Sequence, residues 1–399
     1  MRPSSGGTGW LGLFLVFLKL GSTSFGGPVA HLGYFRAEFV ERRKWLDERS
    51  YADIVALCQF LPGPASSQTG IAIGMLRGGL AGGLAAWLGF TLPSAAAMIA
   101  FAYGMARLGA IGEAPWLHGL QIVAVAVVAQ AVWGMARTLA PDRARASLAV
   151  AAALLMLFLP GALGQIGAIA AGALIGWRLL PAGETAPPAA LGIAIDRRLS
   201  LAMLAVFVLL LAGLPVLAAA SGDHALELLA RFYRTGALVF GGGHVVLPLL
   251  ASAVVQPGWI SQDVFLAGYG AAQAMPGPLF TFAAFLGTAM QPPPNGWQGG
   301  LLCLAAIYLP SFLLLVGILP FWDGLRRRPS VQSALKGVNA AVVGLLLAAL
   351  YTPIWVTTIR APRDFALGLV AFLLLAIWRV QPWIVVLLGA FGAAALAAF

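Results

Sequence analysis

Apolar segments long enough to cross a lipid bilayer fill most of this chain. A helix needs about 20 apolar residues for that crossing. Hydrophobic residues make up 60% of the sequence and charged residues only 10%, whereas roughly 25% of the residues in a soluble domain are charged. The segments are rich in Ala, Leu and Gly and lack the alternation of an outer-membrane β-barrel. The sequence therefore predicts an all-α polytopic membrane protein.

An internal repeat divides the chain into two related halves. Phe-Gly-Gly at 25–27 returns at 240–242, and Gln-x-x-Pro-Gly-Pro at 59–64 returns at 273–278. The order is kept over more than 100 residues at an offset of 214 to 218, which indicates a duplication. Further matches are Trp45 with Trp259, Gly82-Gly83 with Gly299-Gly300, Leu92-Pro93-Ser94 with Leu309-Pro310-Ser311, and Gly119 with Gly337.

The apolar segments and the repeat together predict the organisation of the chain. We expect an N-terminal repeat over 10–180, a linker with a single connecting helix over 181–224, and a C-terminal repeat over 225–399. About 10–13 membrane helices are expected in all. The predicted segments of the first half and the connection are 10–32, 51–75 with an interruption at Pro62-Gly63-Pro64, 79–106, 117–137, 146–180 with a break at Pro160-Gly161, and 199–220.

The basic residues indicate that the two halves are inverted relative to each other. The net charge is +10, but the basic residues lie mainly in short loops, where they orient helices, so nucleic acid is not an expected partner. Equivalent loops of the two halves differ in opposite directions in their number of basic residues. Arg36, Arg42, Arg43, Lys44 and Arg49 follow the first span, and the counterpart 251–262 has no basic residue; Arg107 alone follows the long Gly-rich span, against Arg326, Arg327 and Arg328 in the second half.

The Pro-Gly-Pro sequences should break their helices, because proline removes a backbone donor and clashes one turn back. Such breaks survive in a membrane only inside protein or beside a wet cavity. A broken helix presents free N–H groups and a positive dipole end, which suit an anion. After the first break, Ser66, Ser67 and Gln68 add further donors, whereas the second half keeps only Thr281. Simple kinking of membrane helices is the alternative interpretation.

Two cations and two histidines accompany these motifs. Lys19 and Arg234 occupy equivalent positions before a matched glycine, and a cation deep in a span costs about 3 kcal/mol. We expect them to attract an anion, with snorkelling to the interface as the alternative. His31 and His244 follow the Phe-Gly-Gly runs and could carry a proton. Gln59 and Gln273 precede the breaks as neutral donors.

Several other functions find little support in the sequence. The chain has 14 acidic residues, mostly in loops, and an enzyme needs a convergent set of acids, histidines or metal ligands. We therefore expect no catalytic residue, no metal and no cofactor. Cys58 and Cys303 lie in apolar segments and are expected in the core. The Gly pairs at 78–83 and 299–300 are expected to allow close helix packing.

In its Phe-Gly-Gly and Gln-x-x-Pro-Gly-Pro motifs the sequence resembles the chromate ion transporter family in its long, two-domain form. The resemblance extends over nearly the whole chain. The resemblance implies efflux of chromate from the cytoplasm across the inner membrane, driven by the proton-motive force, and competition with sulfate. In the second half, Gly243 stands at the position equivalent to Pro28 in the first half. The two copies of the motif therefore need not act identically. The expected substrate-binding residues are Lys19, Ser22, Thr23, Ser24, Phe25, Gly26, Gly27, His31, Gln59, Pro62, Gly63, Pro64, Ser66, Ser67, Gln68, Arg234, Phe240, Gly241, Gly242, His244, Gln273, Pro276, Gly277, Pro278 and Thr281.

The residues leave several alternatives open. A transporter of sulfate or another oxyanion, whether exporter or importer, would show the same pattern, because a positive patch attracts any anion. An uncoupled anion channel is a further alternative. The expected partners are a chromate- or sulfate-like oxyanion and the lipid bilayer, and protons and a second copy of the chain in a homodimer are further candidates.

Overall fold

The computed structural model describes residues 9–107, 115–181, 195–240, 243–325 and 327–397. Helix is the only regular secondary structure in those ranges, which confirms the predicted all-α class. Several helices that follow turns begin at a side-chain cap. The carboxylate of Asp47, for example, accepts the N–H of Ser50, and that of Asp223 accepts the N–H groups of Ala225 and Leu226. Such a cap satisfies donors that a helix start leaves free.

The first half contains seven helices, and the connection contains one. They are α1 (Trp10–Thr23), α2 (Gly27–Arg36, continued by a π-helix at Ala37–Arg42), α3 (Glu48–Phe60), α4 (Ala65–Arg107), α5 (Pro115–Leu139), α6 (Arg143–Phe158), α7 (Ala162–Leu179) and the connecting helix α8 (Arg197–Ser221).

The second half repeats this order with more interruptions. Its helices are α9 (His224–Leu238), α10 (Val246–Leu250, between a 3₁₀ turn at Gly243–Val245 and a π-helix at Ala251–Val255), α11 (Gln262–Ala274), α12 (Phe282–Ala289, after a 3₁₀ turn at Leu279–Thr281), α13 (Gly296–Ile318, before a 3₁₀ turn at Leu319–Phe321), α14 (Trp322–Leu325), α15 (Pro329–Ala349, continued by a π-helix at Leu350–Trp355), α16 (Val356–Thr358), α17 (Pro362–Ala376) and α18 (Pro382–Ala397).

Each half opens with a helical hairpin, where the sequence predicted one span over 10–32. Helix α1 ends at Thr23, and Gly26 adopts a φ of 99° that interrupts the helix. The chain then turns back, because the ring of Phe39 lies 5.1 Å from that of Phe17 on α1. In the second half, Arg231 on α9 donates to the carbonyl oxygen of Ala253. Phe25-Gly26-Gly27 and Phe240 therefore lie at or next to the tip of a hairpin.

The Pro-Gly-Pro sequences form the tips of a second pair of hairpins. Helix α4 is divided at Gly78 and Gly79, which leave helical geometry, into 65–77 (α4a) and 80–107 (α4b). The guanidinium of Arg77, at the end of α4a, lies 5.1 Å from the ring of Trp45, just before α3. The chain therefore returns to the side of the molecule from which it entered. The second half does the same, because the N–H of Gln291 donates to the carbonyl oxygen of Trp259.

The long helices that follow these hairpins run in opposite directions in the two halves. Along α4b the contacts pass from Trp87 to Tyr103, and along α13 they pass from Phe312 back to Trp297. The rings of Trp87 and Phe312 lie 5.6 Å apart, and the N–H of Trp297 donates to the hydroxyl of Tyr103 over 2.9 Å. Since α4b and α13 are equivalent in the repeat, their antiparallel arrangement confirms that the repeats are inverted.

The remaining helices of each half pack against the other half. Helix α15 lies against α6 and α7, and α5 lies against α17 and α18. Glycines permit both contacts, as predicted for glycine pairs in membrane helices. A Cβ on Gly172 of α7 would overlap α15 at Gly337, and a Cβ on Gly119 of α5 would overlap α18 at Gly389. The two halves are thus interlocked rather than merely adjacent.

These contacts define two faces of the molecule. Face A carries the loop 43–47 and face B carries the loop 256–261. The hairpins of the first half enter from face A and those of the second half from face B. In the described ranges, five helical segments are long and apolar enough to cross a membrane, and five more apolar helices are shorter. The five long segments are Ala65–Arg107, Pro115–Leu139, Arg197–Ser221, Gly296–Phe321 and Pro329–Thr358, and they include α4b, α5, α8, α13 and α15.

The protein is therefore a multi-pass membrane protein. In the described ranges its five helical segments long enough to cross a bilayer, together with five shorter apolar helices, carry this conclusion. Cys58 and Cys303 are both buried and unpaired, as predicted for core residues.

Candidate functional site

The four hairpin tips meet in the centre of the molecule through two matching hydrogen bonds. The N–H of Gly63 donates to the carbonyl oxygen of Val239 over 2.7 Å, and the N–H of Gly277 donates to that of Ser24 over 2.8 Å. Gly63 and Gly277 are equivalent in the repeat, as are Ser24 and Val239. The two bonds are therefore one interaction repeated by a pseudo-two-fold rotation, and each one joins the two halves.

The middle residue of each Pro-Gly-Pro has to be glycine. Gly63 has a φ of 125° and Gly277 a φ of 88°, which other residues rarely adopt. A Cβ on Gly63 would overlap the hydroxyl of Ser311, and one on Gly277 would lie 2.9 Å from the hydroxyl of Ser94. Ser94 and Ser311 are again equivalent positions. Each tip is thus seated against a serine on the long helix α4b or α13.

Buried polar atoms without a hydrogen-bond partner are found at these tips. Among the described residues, the hydroxyls of Ser24 and Ser311 and the side-chain oxygen of Gln68 have none. All three residues are 0% exposed. The amide nitrogen of Gln68 donates to the carbonyl oxygen of Pro62 over 2.7 Å, so this side chain also holds the broken loop in place. Since buried polar groups are nearly always paired, the arrangement favours a site for a polar ligand.

The first half presents a regular helix start at its break. Helix α4 begins at Ala65, directly after Pro64, and its first N–H groups have no partner within the helix. Ser66 and Ser67 in that first turn are buried. In the second half a 3₁₀ turn precedes α12, and the hydroxyl of Thr281 donates to the carbonyl oxygen of Pro278 over 2.8 Å. The helix end of the first half is therefore the better anion donor.

The two histidines lie beside the tips in different environments. Nδ1 of His31 is 3.3 Å from the hydroxyl of Ser66, and its ring packs edge-on against Phe90. Nδ1 of His244 is 2.8 Å from the hydroxyl of Tyr269. Both histidines therefore sit next to residues of the Pro-Gly-Pro hairpins, each within hydrogen-bond distance of a hydroxyl.

Pro28 and Gly243, which follow the two Phe-Gly-Gly motifs in sequence, approach each other near the pseudo-two-fold axis. A Cβ on Gly243 would lie 3.3 Å from Cγ of its equivalent, Pro28. A proline at position 243 would therefore crowd Pro28, which gives a physical reason for the difference between the halves. The ring of Phe25 lies 6.1 Å from that of Trp383. The expected site residues Gly241 and Gly242 lie outside the described residues.

Several expected site residues lie away from this cluster. Lys19, Ser22, Thr23 and Gln59 are all exposed. The hydroxyls of Ser22 and Thr23 donate back to the carbonyl oxygens of Leu18 and Lys19, each over 2.8 Å. These two hydroxyls are occupied within α1. The structure therefore gathers Ser24, but not its two neighbours, into the centre.

Arg234 lines a narrow cleft on the face B side of the centre. The cleft lies between α9, the returning segment at Leu249 and Ser252, and the start of α7 at Gln165. Arg231, one turn earlier, is paired with Glu227 over 2.7 Å. Arg234 is half-buried and forms no ion pair with a described residue. An unpaired guanidinium facing a cleft favours an anion as its partner.

Sequence reasoning missed the residues that the long helices contribute. The hydroxyl of Tyr308 lies 3.4 Å from that of Ser67, and Ser311 reaches Gly63. The available signal was the repeated Leu-Pro-Ser, since Ser94 and Ser311 recur together with the breaks. Tyr308 has no equivalent tyrosine, because Thr91 occupies its position in the first half, so the repeat gave no signal for it.

The arrangement is suited to an oxyanion. Neutral hydroxyls and an amide converge with a helix start, and the partial positive charge of such a start is about half an elementary charge. The donors come from both halves and from hairpins that enter from opposite faces.

Comparison with known proteins points to one family. A family model described as Chromate transporter matches residues 11–177 and, a second time, residues 226–394. The two matches cover both halves and leave out the connection. No solved structure matches this chain.

Curated relatives match over nearly the whole chain. The Chromate transport protein of Pseudomonas aeruginosa is 28% identical, over 96% of this chain and 91% of the relative. The Probable chromate transport protein of Synechococcus elongatus is 27% identical, over 93% of this chain and 92% of the relative. The Chromate transport protein of Cupriavidus metallidurans is 26% identical, over 84% of this chain and 80% of the relative.

Proposed function

Because the chain belongs to the chromate transporter family, we propose that it exports chromate across the bacterial inner membrane and that the proton-motive force drives this export. Such export would confer resistance to chromate. The observation that carries the proposal is the set of unpartnered, fully buried polar groups of Ser24, Gln68 and Ser311 at the hairpin tips. A tetrahedral oxyanion would supply the missing partners from several directions at once.

The distribution of basic residues supports an orientation with face A in the cytoplasm. Positive charge marks the cytoplasmic side of a membrane protein. Face A carries Arg42, Arg43, Lys44, Arg143, Arg145, Arg178, Arg197, Arg198, Arg327, Arg328 and Arg379, whereas face B carries Arg107, Arg231, Arg360 and Arg363. The hairpins of the first half then enter from the cytoplasm, and those of the second half enter from the opposite side.

Inverted repeats support an alternating-access mechanism. Two equivalent halves can exchange conformations, so that one arrangement exposes the centre to face A and the other exposes it to face B. Lys19 lies on the hairpin that enters from face A, and Arg234 lies on the equivalent hairpin from face B. In this proposal Lys19 attracts chromate on the cytoplasmic side, and Arg234 holds it briefly in the cleft on the way out.

The donors at the tips recognise the shape and charge of the ligand, which sulfate shares with chromate. Sulfate is therefore expected to compete, and the same site in a sulfate transporter is the alternative that the test has to separate. An uncoupled channel would conduct the anion without accumulating it.

The test is chromate uptake into everted membrane vesicles that contain the full chain, with and without an imposed proton gradient. Gradient-dependent accumulation that excess sulfate reduces, and that Ser311→Ala and Lys19→Gln lower, is the expected result. Arg137→Gln is the charge-matched control, because Arg137 is exposed at the end of α5. Absence of chromate uptake above empty vesicles would remove chromate as the substrate.

A further inference from the structure

A polar network links the two halves near face B, away from the hairpin tips. His118, in the first turn of α5, places Nε2 3.2 Å from a carboxylate oxygen of Asp364 on α17. Its Nδ1 lies 3.2 Å from the side-chain oxygen of Gln121. The amide nitrogen of Gln121 in turn donates to the backbone carbonyl oxygen of Asp263 on α11, over 3.1 Å, and lies 3.3 Å from its carboxylate. The network therefore connects one helix of the first half with two of the second.

Both nitrogens of the His118 ring face hydrogen-bond acceptors. Both contacts of the ring are with oxygens that only accept, namely a carboxylate of Asp364 and the amide oxygen of Gln121. The amide of Gln121 is held in this orientation because its nitrogen faces two oxygens of Asp263. When both contacts are made as hydrogen bonds, each ring nitrogen donates, which is the bonding pattern of the doubly protonated ring. A neutral ring could satisfy only one of the two contacts.

The surroundings of the network leave His118 as its exchangeable proton site. The other carboxylate oxygen of Asp364 accepts the N–H groups of Arg360 and Ala361, each over 3.0 Å, which holds it as an acceptor. The guanidinium of Arg360 lies 3.5 Å from the carboxylate of Asp263. Helix α18, which packs on α5 and α11, has no ionisable side chain. The side chain of His118 is 27% exposed, so water can reach it.

Of the other charged groups on elements that pack against α5, Arg363 is exposed in the first turn of α17, and Lys336 lies on α15. Lys336 is the equivalent of His118 in the repeat. Its Nζ donates to the carbonyl oxygen of Pro181 over 2.7 Å, at face A. Of the two equivalent positions, the one near face B carries the imidazole.

The network is attached to the central site through α11. Asp263 is the second residue of α11, and α11 leads directly into the break at Gly277, whose N–H binds Ser24. Loss of the His118 proton removes one of the two links that tie α11 and α17 to α5. A change at His118 can thus shift the hairpin whose tip forms part of the oxyanion site.

We propose that His118 is the binding site of the proton that drives transport, with Gln121, Asp263 and Asp364 as the groups that couple it to the Pro-Gly-Pro hairpin of the second half. This inference rests on the proposed function, because it assigns a residue to the coupled ion. Protons would reach His118 from face B, the side that the proton-motive force makes acidic when face A is cytoplasmic.

The test compares accumulation with exchange in everted vesicles, in which face B lines the lumen. Gradient-driven accumulation of radiolabelled chromate needs the coupled proton, whereas exchange of labelled for unlabelled chromate at equal concentrations does not. For His118→Gln and His118→Lys we expect accumulation to fall more than tenfold while exchange stays within about twofold of the unchanged protein. His224→Gln is the matched control, since His224 also lies near face B but packs on Trp259 outside the network.

The outcomes separate this inference from the proposed function. Normal gradient-driven accumulation in His118→Gln would overturn the inference. Loss of exchange in both His118 variants would also overturn it, because the residue would then act in substrate binding or folding. Absence of chromate exchange in the unchanged protein would instead refute chromate transport itself.

Discussion

The hydroxyl of Tyr308 lies 3.4 Å from that of Ser67, although the two residues belong to different halves of the chain. Tyr308 is fully buried and also packs against the rings of Trp87 and Phe280. A side chain of the second half therefore determines where a hydroxyl points in the first turn after the break of the first half. This contact ties the proposed oxyanion site to the relative position of α4 and α13, the two long helices that the proposed alternating access would move.

Replacing Tyr308 with Phe should weaken chromate transport. The substitution removes one neutral hydrogen-bonding group, a change worth about 0.5–1.5 kcal/mol, which corresponds to roughly a two- to tenfold increase in KM. The measurement is the concentration dependence of chromate uptake in everted vesicles.

Tyr233→Phe is the matched control for this change. Its hydroxyl donates to the backbone carbonyl oxygen of Phe207 on the connecting helix over 3.0 Å, away from the hairpin tips. Loss of that bond should lower thermal stability slightly and leave KM unchanged. An equal KM in Tyr308→Phe and Tyr233→Phe would contradict a role of Tyr308 at the site.

Removing the unpartnered hydroxyls should affect ligand binding more than folding. Ser24→Ala and Ser311→Ala each delete a buried hydroxyl that has no partner among the described residues, so no protein hydrogen bond is lost. We expect melting temperatures without chromate that equal or exceed that of the unchanged protein. The increase in melting temperature that chromate produces should shrink, because that increase depends on affinity.

Ser200→Ala is the control in which a protein hydrogen bond is lost. Its buried hydroxyl donates to the carbonyl oxygen of Val316 over 2.9 Å, so its loss should destabilise the protein by about 1 kcal/mol without changing the effect of chromate. Thermal melting with and without chromate measures both quantities. If Ser311→Ala lowered the melting temperature and kept the full chromate effect, the hydroxyl would be structural.

The glycines at the hairpin tips should tolerate no side chain. Gly63→Ala and Gly277→Ala force a non-glycine residue into a positive φ, which costs on the order of 1–3 kcal/mol, and also push a Cβ against a serine hydroxyl. We expect loss of most chromate uptake in both variants, because the cross-half hydrogen bonds depend on this geometry.

Gly104→Ala and Gly134→Ala are the matched controls. Both glycines lie in helices at positions where an added methyl group would meet open space, since no atom lies within 4 Å of a Cβ there. Alanine in a helix is favoured over glycine by about 0.5–1 kcal/mol, so uptake should be retained. Retained uptake in Gly63→Ala as well would show that the tip geometry is not needed for transport.

The repeat and the breaks could be predicted from the sequence because proline and glycine act locally. Pro62-Gly63-Pro64 interrupts a helix whatever surrounds it, and its return at 276–278 identifies the equivalent element. The reversal of direction could not be predicted in the same way. Phe-Gly-Gly reads as part of one span over 10–32, and only the contact between Phe17 and Phe39 shows that the chain turns back.

The site was predictable only in part for the same reason. Ser66, Ser67 and Gln68 follow the break in sequence, so their place in the first turn of α4 follows from the break itself. Ser311 and Tyr308 approach that turn from the other half, and this approach depends on how the halves pack. The roles of all these residues in binding stay predictions.

The hairpins make a specific prediction about which positions share a face of the membrane. Positions 44 and 80 flank the Pro-Gly-Pro hairpin of the first half, and positions 256 and 291 flank that of the second. Single cysteines at these exposed positions, Lys44→Cys, Leu80→Cys, Gln256→Cys and Gln291→Cys, should fall into two pairs. A membrane-impermeant maleimide should label the first pair only in everted vesicles and the second pair only in intact spheroplasts. Native Cys58 and Cys303 should stay unlabelled because both are buried.

Straight crossing helices in place of hairpins would instead separate position 44 from position 80. Labelling of these two positions from opposite sides would therefore refute the architecture on which the central site depends.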